Sequence, residues 1–561
     1  TTLFRSRPLM YRFKPWMAED RTTTQGITDI QDWGYPSPQQ LEKFGTSKDD
    51  PRPFVADEYA HAMGNALGMM EDFWKQYKKH ERLCGGCIWD WVDQGLWKTT
   101  PAGERYLAYG GDYGDVPNDA NFCINGVIFA DRRVQPELWE ARQVQQWIQT
   151  EGEDLTKGRV RVTNEYRFTN LKDFRPVWRL KEDGEVIQEG ALAPVDLAPG
   201  RSRTVTIPIE RPKLEPGAEY WLTVEWQLRE PTAWADSGHR VAWEQFEVPF
   251  DVPAGPELRL AEQSPVKFDE SGDEVDVSGE GFTYTFDKNS GTLSSMEYEG
   301  RKIVKNGPVL QVWAKILRNW SRKDLRGNWR KAKLDQMKRS VKSVEVQRVS
   351  PRAVEVKVKT EASFPNGGKM ACSYTYRVLG SGDVVLTHRV KPGKKLPGDL
   401  PRLGMRMKVA GEFNDFSWYG KGPHECYPGR ETSGRMGIFS SKVEDLYVPF
   451  VMPQEHGNRM HVRWASLTDS TGTGLLVMGD PELNASATRI SPENMAQAEH
   501  TYDLKPREDI FLHLDHRISC VDARAYRVQT KPYEYSVILR PFSRSKEDPT
   551  ELSRRQMPAS K

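Results

Sequence analysis

The sequence predicts a multidomain protein in which a β/α segment is followed by two all-β regions. Before about residue 133, short apolar runs alternate with a stretch of helical periodicity, whereas the rest of the chain has short alternating runs separated by turn residues. The proline-containing cluster at residues 253–256 divides the alternating part in two. With 561 residues, 37% of them hydrophobic, the chain is long enough for several separate cores.

The first informative element is the segment RPFVADEYAHAMGN, residues 52–65. Its apolar run predicts a buried parallel strand that ends at Glu58, and residues 65–80 have the apolar spacing of a helix. Strand, acid and helix follow one another in this order in β/α barrels, whose catalytic side chains lie at the C-terminal ends of the strands. Glu58 is therefore a candidate nucleophile; the alternative is a carboxylate that forms a salt bridge at a strand end.

Three ring-bearing side chains are candidates for the same site. Residues 28–35 (TDIQDWGY) predict another barrel strand, which would bring the phenol of Tyr35 to the nucleophile, although an isolated tyrosine more often packs in a core. His61, at the predicted start of the helix, can donate to a hydroxyl group or bond to the backbone. The indole of Trp89 offers a flat face to a sugar ring, or it is a core residue like its neighbouring tryptophans.

Composition excludes several classes of protein. The 80 basic and 79 acidic residues give a net charge of +1 without a long basic tract, so we do not expect nucleic acid as a partner. No apolar run approaches the roughly 18 residues that a membrane helix needs, so we expect a soluble protein. The six cysteines are few and scattered, which argues against a disulfide framework, and the lone pair Cys84 and Cys87 is interpreted as structural.

The chain divides into four predicted parts. Residues 1–133 form the β/α segment. Residues 134–252 contain runs such as GRVRVTNEYRF and EYWLTVEWQL and predict an antiparallel sandwich of immunoglobulin-like size. Residues 257–545 continue the alternation in AVEVKVKT and CSYTYRV and predict a larger β-sandwich, and residues 546–561 form a polar tail.

Several motifs occur in an order known from one enzyme family. They are EYAHAMGN (58–65), GGCIWDWVDQGL (85–96), YGGDYGD (109–115), NDANFCINGVIFADR (118–132), WYGKGPHECYPGR (418–430) and VPFVMPQEHGNRMHVRW (448–464). This pattern resembles the large bacterial β-galactosidases of glycoside hydrolase family 2, and the similarity extends over nearly the whole chain. It implies a retaining exo-β-galactosidase with Glu58 as nucleophile, Tyr35 and His61 as further catalytic residues, and Trp89, Phe122 and Asn125 in the galactose pocket.

The second catalytic carboxylate is the missing part of this assignment. Retaining hydrolysis needs an acid roughly 5 Å from the nucleophile, and in the family this acid/base glutamate follows the fourth barrel strand, upstream of the residues present here. The resemblance assigns strands five to eight to residues 7–13, 28–35, 54–58 and 87–92. Asp57 is not expected to replace the acid, because neighbouring residues on a strand point to opposite faces.

The predicted fold class is therefore the second half of a (β/α)8 barrel followed by an immunoglobulin-like β-sandwich and a large C-terminal β-sandwich. A half-barrel leaves two open sheet edges, so we expect the N-terminal half of the enzyme as a partner, on the same precursor or as a separate subunit of a homo- or hetero-oligomer. The sequence opens TTLF, without an initiator methionine or signal-peptide features. A cytoplasmic location is favoured.

Two other functions stay open at this point. One is a non-catalytic carbohydrate-binding or scaffold subunit on the same fold, and the other is a different family 2 exo-glycosidase. The resemblance also implies cofactors: the backbone oxygen of Phe122 and the amide oxygen of Asn125 would hold Na⁺, and upstream or partner residues would bind Mg²⁺. Arg524 and Arg527 stand where the family has a glycine- and aspartate-rich turn, which raises the hypothesis of an anionic or larger galactoside.

Overall fold

The computed structural model describes residues 7–10, 28–316, 325–519 and 524–558. Its N-terminal part is a β/α unit followed by a β-hairpin and a further helix. The elements are β1 (Gln31–Asp32), α1 (Pro38–Thr46), β2 (Phe54–Tyr59), α2 (Met70–Lys79), β3 (Leu83–Ile88), β4 (Leu96–Thr99), β5 (Arg105–Ala108) and α3 (Pro136–Val144).

Strands β1, β2 and β3 form a parallel sheet in that order, and helices α1 and α2 cover one of its faces. The ring of Phe54 on β2 stacks on Phe44 of α1 at 4.7 Å between centroids. Tyr59, at the other end of β2, makes edge contacts with Phe73 and Tyr77 of α2. Apolar side chains on one strand face and on two helices therefore build the core of a β/α unit, as the sequence pattern predicts.

Several predicted boundaries in this unit are wrong. The strand predicted at 28–35 is only Gln31–Asp32, and the one predicted at 87–92 is Leu83–Ile88, so Trp89 follows the strand. The helix predicted at 65–80 begins at Met70, because residue 69 is in the left-handed region and its N–H donates to Gly429 O at 2.8 Å. In the strand predicted at 7–13, residues 7–10 are not in a strand and residues 11–13 lie outside the described residues.

Two antiparallel sheets follow. They consist of β6 (Ile148–Asp154), β7 (Arg159–Asn164), β8 (Phe174–Glu182), β9 (Glu185–Ala191), β10 (Ser202–Thr206), β11 (Tyr220–Leu228) and β12 (Arg240–Glu247), in the orders β10-β7-β6 and β12-β11-β8-β9. Trp226 on β11 is buried, and its Nε1 donates to Thr150 Oγ1 on β6 at 3.2 Å. The two sheets therefore pack face to face around one core.

A large antiparallel sheet of sixteen described strands dominates the C-terminal part, and two further short strands, Asp399–Leu400 and Val528–Gln529, pair with each other. The elements are β13 (Lys267–Ser271), β14 (Glu274–Gly279), β15 (Phe282–Asp287), β16 (Thr292–Tyr298), β17 (Arg301–Gln311), α4 (Leu325–Ala332), β18 (Lys338–Ser350), β19 (Ala353–Ser363), β20 (Lys369–Leu379), β21 (Val384–Pro392), β22 (Asp399–Leu400), β23 (Arg402–Val409), β24 (Asp415–Gly422), β25 (Arg435–Lys442), β26 (Arg459–Thr468), β27 (Thr473–Thr488), α5 (Pro492–Gln497), β28 (Ile510–Ile518), β29 (Val528–Gln529), β30 (Tyr533–Ser543) and α6 (Pro549–Ser553). Helix α6 lies in the predicted polar tail, and its Leu552 is buried.

A buried arginine joins the β/α unit to the C-terminal part. Arg430, 2% of whose side chain is exposed, forms ion pairs with Glu137 of α3 and with Glu425, the latter at 2.8 Å. Its Nη2 also donates to Asn65 Oδ1 at 2.6 Å. Burial raises the pKa of Glu137 to about 7, although Arg430 opposes this shift. Three separate segments of the chain therefore meet at one guanidinium group.

Among the described helices, none is both long and apolar enough to cross a membrane.

The Arg430 cluster predicts a large stability effect. Arg430→Ala leaves Glu137 and Glu425 buried without their cation, and we expect a loss of about 3–5 kcal/mol in the free energy of unfolding, measured by urea denaturation. The control is Arg389→Ala, which removes an exposed ion pair with Glu534 and should cost less than about 1 kcal/mol. Equal effects of the two substitutions would contradict a central role for Arg430.

Candidate active site

Glu58 lies at the C-terminal end of β2, where the strand is irregular. It is buried, with 8% of its surface exposed. The pairing with β3 shifts register between Ala56 and Tyr59, and these two residues, three positions apart, belong to the same core cluster. A regular strand would point them to opposite faces. The strand is therefore bulged at Asp57 and Glu58, as strands often are next to functional sites.

Because of the bulge, the direction in which the Asp57 side chain points does not follow from strand alternation. Strict alternation, the reason for setting Asp57 aside as a catalytic acid, does not hold where the register shifts. Asp57 has a local role instead: its N–H donates to Asp32 Oδ1 at 3.2 Å, and its own Oδ1 accepts from Glu58 N at 2.9 Å. These bonds fix the backbone on which Glu58 stands.

Tyr35 is tied to the same strand end. Its backbone N–H donates to Glu58 O at 2.7 Å, so the segment after β1 and the end of β2 are held together. The φ angle of Tyr35 is +53°, in the left-handed region that non-glycine residues seldom adopt. Such strain is common where a side chain is held for function.

The rings of His61 and Phe122 lie beside Tyr35. Their rings stack with centroids 5.8 Å apart, and the His61 ring lies 5.9 Å from that of Tyr35. The prediction that His61 stands at the start of a helix is wrong, since it lies in the loop between β2 and α2. The stack joins this loop to the segment after β5.

The loop that carries His61 is held by the C-terminal part. Gly64 has φ +64°, and a Cβ there would lie 2.1 Å from Nε2 of Gln454, so only glycine fits. Gln454 Oε1 accepts from Asn65 N at 3.1 Å, and Asn65 Nδ2 donates to Glu455 O at 2.9 Å. Gly64 and Asn65, the last two residues of the motif EYAHAMGN, are therefore both required by contacts with the C-terminal part.

Trp89 connects the end of β3 to this loop. Its N–H donates to Tyr59 O at 3.2 Å, and its carbonyl accepts from Ala62 N at 2.8 Å. Its side chain is half-buried, whereas Trp91 is 64% exposed and Trp97 is exposed as well. The alternative that these tryptophans are all core residues is therefore wrong for Trp91 and Trp97.

The side-chain amide of Asn125 lies beside the backbone carbonyl of Phe122. Asn125 is buried, and its Nδ2 donates to Phe122 O at 2.9 Å. Its Oδ1 is also buried and has no hydrogen-bond partner within the described part of the chain. Gly126 allows this position, since a Cβ would lie 2.1 Å from Asp93 N. It is Nδ2, and not Oδ1, that faces the Phe122 carbonyl, and the unpaired buried Oδ1 is an oxygen of the kind that binds a hard cation such as Na⁺.

Sequence reasoning missed Asp93, a buried carboxyl next to Gly126. Its Oδ1 accepts from Gly126 N at 2.8 Å and its Oδ2 from Gln135 Nε2 at 2.9 Å. Burial raises the pKa of Asp93 to about 8, with a smaller contribution from the nearby charge of Glu137. Asp93 lies within the WDWVDQGL motif, but nothing in the motif distinguishes a buried carboxyl from an exposed one.

The basic residues of the C-terminal part and the metal ligands differ in what the structure shows of them. Arg527, proposed for the rim of the site, is half-buried and lies 3.3 Å from Asp399 Oδ2, so its charge is compensated; the side chain of Arg524 lies outside the described residues. Over the described ranges, no group of three or more His, Cys, Asp or Glu side chains could hold a metal ion. The Mg²⁺ site remains a prediction that concerns other residues.

Three family models match consecutive parts of the chain. "Glycosyl hydrolases family 2, TIM barrel domain" matches residues 2–150, "Beta-galactosidase, domain 4" matches residues 160–249, and "Beta galactosidase small chain" matches residues 278–539.

Curated relatives agree with these models. The chain is 32% identical over 495 residues to a protein named beta-galactosidase from Priestia megaterium, 30% identical over 488 residues to one from Psychromonas ingrahamii, and 33% identical over 480 residues to one from Aeromonas hydrophila. These matches cover 87%, 85% and 83% of this chain and 47%, 46% and 45% of the relatives. The chain thus spans about half the length of the curated relatives it matches.

Asp93 predicts a pH-dependent stability. A carboxyl whose pKa is higher in the folded than in the unfolded protein stabilises the fold below its unfolded pKa of about 4, and this contribution is lost as the pH rises through about 8. We expect Asp93→Asn to flatten the decline of the urea midpoint between pH 5 and pH 8. The exposed Asp119→Asn should leave the slope unchanged; an unchanged slope in Asp93→Asn would refute the assignment.

Proposed function

Since the chain belongs to glycoside hydrolase family 2, we propose that it carries the nucleophile half of the active site of a retaining exo-β-galactosidase. The observation that supports this most directly is the position of Glu58 at the C-terminal end of a parallel strand, with Tyr35 bonded to its backbone. The stacked rings of His61 and Phe122 adjoin Tyr35. The substrate would be a terminal non-reducing β-D-galactosyl residue.

Glu58 would attack the anomeric carbon. A bond forms between a carboxylate oxygen and C1, the bond from C1 to the glycosidic oxygen breaks, and an acid protonates the leaving oxygen. Water then attacks C1 with the same acid acting as base, which releases galactose and restores Glu58. Tyr35 and His61 would orient the nucleophile and the sugar, while Trp89 and Phe122 supply flat surfaces for the pyranose.

The acid/base glutamate would come from a polypeptide segment other than these 561 residues, either upstream on the same precursor or on a partner chain. The relatives are about twice as long as the matched region. In addition, large apolar side chains in the segment that follows β3 are exposed: Trp91, Leu96, Trp97, Tyr113 and Val116. A surface of this kind is typical of a protein interface. We propose that this face is covered by the other half of the barrel.

The arrangement of parts follows from the same proposal. The parallel sheet β1-β2-β3 would be the remainder of a (β/α)8 barrel, and the two sheets formed by β6 to β12 would be an immunoglobulin-like domain. The region from β13 to β30, with its sixteen-stranded sheet, would be the large galactosidase-type sandwich. The hydrogen bonds of Gln454 and Glu455 to Asn65 support a role for the last region in shaping the site.

Asn125 and Phe122 fit a sodium site in part. With the Asn125 amide turned so that Oδ1 replaces Nδ2 beside the Phe122 carbonyl, these two oxygens would hold the ion, together with oxygen ligands from outside this chain. When bound, Na⁺ would supply positive charge to orient a sugar hydroxyl. The Asn125 oxygen that has no hydrogen-bond partner within the described part of the chain supports this proposal.

The nucleophile assignment predicts a specific loss. In the enzyme that contains this chain and its complementary half, Glu58→Gln should lower turnover of a chromogenic β-galactoside at least about 10³-fold while galactose still binds. A 2-deoxy-2-fluoro-β-galactosyl fluoride should label the wild-type peptide that contains Glu58, as read by mass spectrometry. Asp57→Asn is the matched control and should still be labelled at Glu58. Labelling at another carboxylate would disprove the role of Glu58.

The sodium assignment gives a separate prediction. Asn125→Leu keeps the volume but removes the oxygen, so the apparent Na⁺ affinity should fall about 10–100-fold, measured as the Na⁺-dependent rise in melting temperature with K⁺ as reference. Asn118→Ala, on the same loop, should retain the Na⁺ response. If Asn125→Leu responds to Na⁺ like the wild type, these two residues do not hold the ion.

A further inference from the structure

A second cleft lies where α3, β12 and the segment around β25 meet. Its walls include Trp139 and Arg142 of α3, Arg240 and Trp243 of β12, and His424 and Arg435 of the C-terminal part. Its cavity volume is about 150 Å³, and the cleft is open to solvent on one side. None of these residues belongs to the site around Glu58.

Two indoles and three guanidinium groups dominate this cleft. Trp139 is 38% exposed, so a large part of its ring is open to a ligand. It stacks on His424 at 6.2 Å between centroids, and Arg240 lies over the ring of Trp243 at 5.8 Å. A hydrogen bond joins the two walls, since the side-chain Nε2 of Gln143 on α3 donates to Trp243 O on β12 at 2.8 Å. The cleft is therefore lined by a helix and a strand that are hydrogen-bonded to each other.

The positive charge of the cleft is only partly compensated. Arg240 and Arg435 both contact the same oxygen of Glu225, at 3.1 Å and 3.0 Å, and this carboxylate also faces Arg179 at 3.4 Å. Arg142 has no carboxylate partner in the described part of the chain; its Nη2 donates to the backbone oxygen of Arg240. Arg179 also pairs with Glu189 at 3.2 Å, so Arg240 and Arg435 share the one carboxylate of Glu225, and Arg142 has none in the described part of the chain.

The arginines of the cleft are partly buried and lie close enough to repel one another. Burial and the charge of Arg240 lower the pKa of both Arg142 and Arg435, which means that these cations repel each other in a poorly solvated place. Burial lowers the pKa of His424 to about 3, so the imidazole is neutral at physiological pH and can accept or donate hydrogen bonds. The Nε of Arg240 is buried without a hydrogen-bond partner in the described structure.

We propose that this cleft binds an anionic saccharide unit, a sugar that carries a sulfate or a carboxylate, separately from the site around Glu58. Guanidinium groups bind such oxyanions by paired hydrogen bonds, and exposed indoles pack against the C–H face of a pyranose. A bare anion would use the arginines alone, and a neutral sugar would leave their charge uncompensated. Arginines together with indoles therefore favour a ligand that has both an oxyanion and a pyranose ring.

Isothermal titration calorimetry of the full chain tests the proposal. Galactose 6-sulfate and galacturonic acid are titrated in parallel, with saturating neutral galactose in the cell and the syringe so that the Glu58 site is occupied. We expect one or both to bind with 1:1 stoichiometry, and the stronger arm identifies sulfate or carboxylate as the group recognised. No binding at millimolar concentration in either arm would overturn the proposal.

Two variants separate the contributions. Arg142→Gln should raise the Kd at least about 10-fold because it removes the uncompensated cation, and Trp139→Ala, on the exposed wall, should do the same because it removes the aromatic face. Arg389→Gln, an exposed arginine of β21, is the control and should leave the Kd unchanged. If inorganic sulfate binds as tightly as the sulfated sugar and Trp139→Ala has no effect, the site binds an adventitious anion only, and the saccharide assignment is wrong.

Discussion

The structure depends on one buried charge, the guanidinium of Arg430. Two carboxylates from different parts of the chain surround it, Glu137 from α3 and Glu425 from the C-terminal part, and Asn65 completes its partners with a neutral oxygen. Buried ions are tolerated only when such partners are in place. The β/α unit and the large sheet are therefore held in one relative position.

This constraint reaches the candidate active site in a few steps. Asn65 bonds to Arg430 on one side and to Gln454 and Glu455 on the other. Gln454 in turn fills the space beside Gly64, at the base of the loop that presents His61. A loop without regular secondary structure thus has its shape set by the C-terminal part. The residues that set the shape of this loop, Gln454 and Glu455, lie 389 and 390 positions from Asn65 in the sequence.

Sequence reasoning located strand β2 from its apolar run, and the structure brings three of the predicted site residues, Tyr35, His61 and Phe122, into ring contact. Sequence reasoning placed the start of α2 five residues early, since the contacts of residues 65–69 with Gly429 and Gln454 are invisible in local periodicity. It also assumed regular alternation at Asp57, where a bulge occurs. Asp93 and the Arg430 cluster were missed because burial of a charged group depends on long-range packing.

Helix α3 links the Arg430 cluster to the arginine-rich cleft. Its first turn carries Glu137 into the Arg430 cluster, and Glu140, one turn on, accepts from the backbone N–H groups of Thr432 and Ser433 at 3.1 Å and 2.9 Å. The opposite side of the same helix presents Trp139 and Arg142 to the arginine-rich cleft. Because Glu137 and Glu140 fix the helix against the C-terminal part, the cleft has rigid walls. The charge cluster that positions the loop of His61 thereby also sets the geometry of the second cleft.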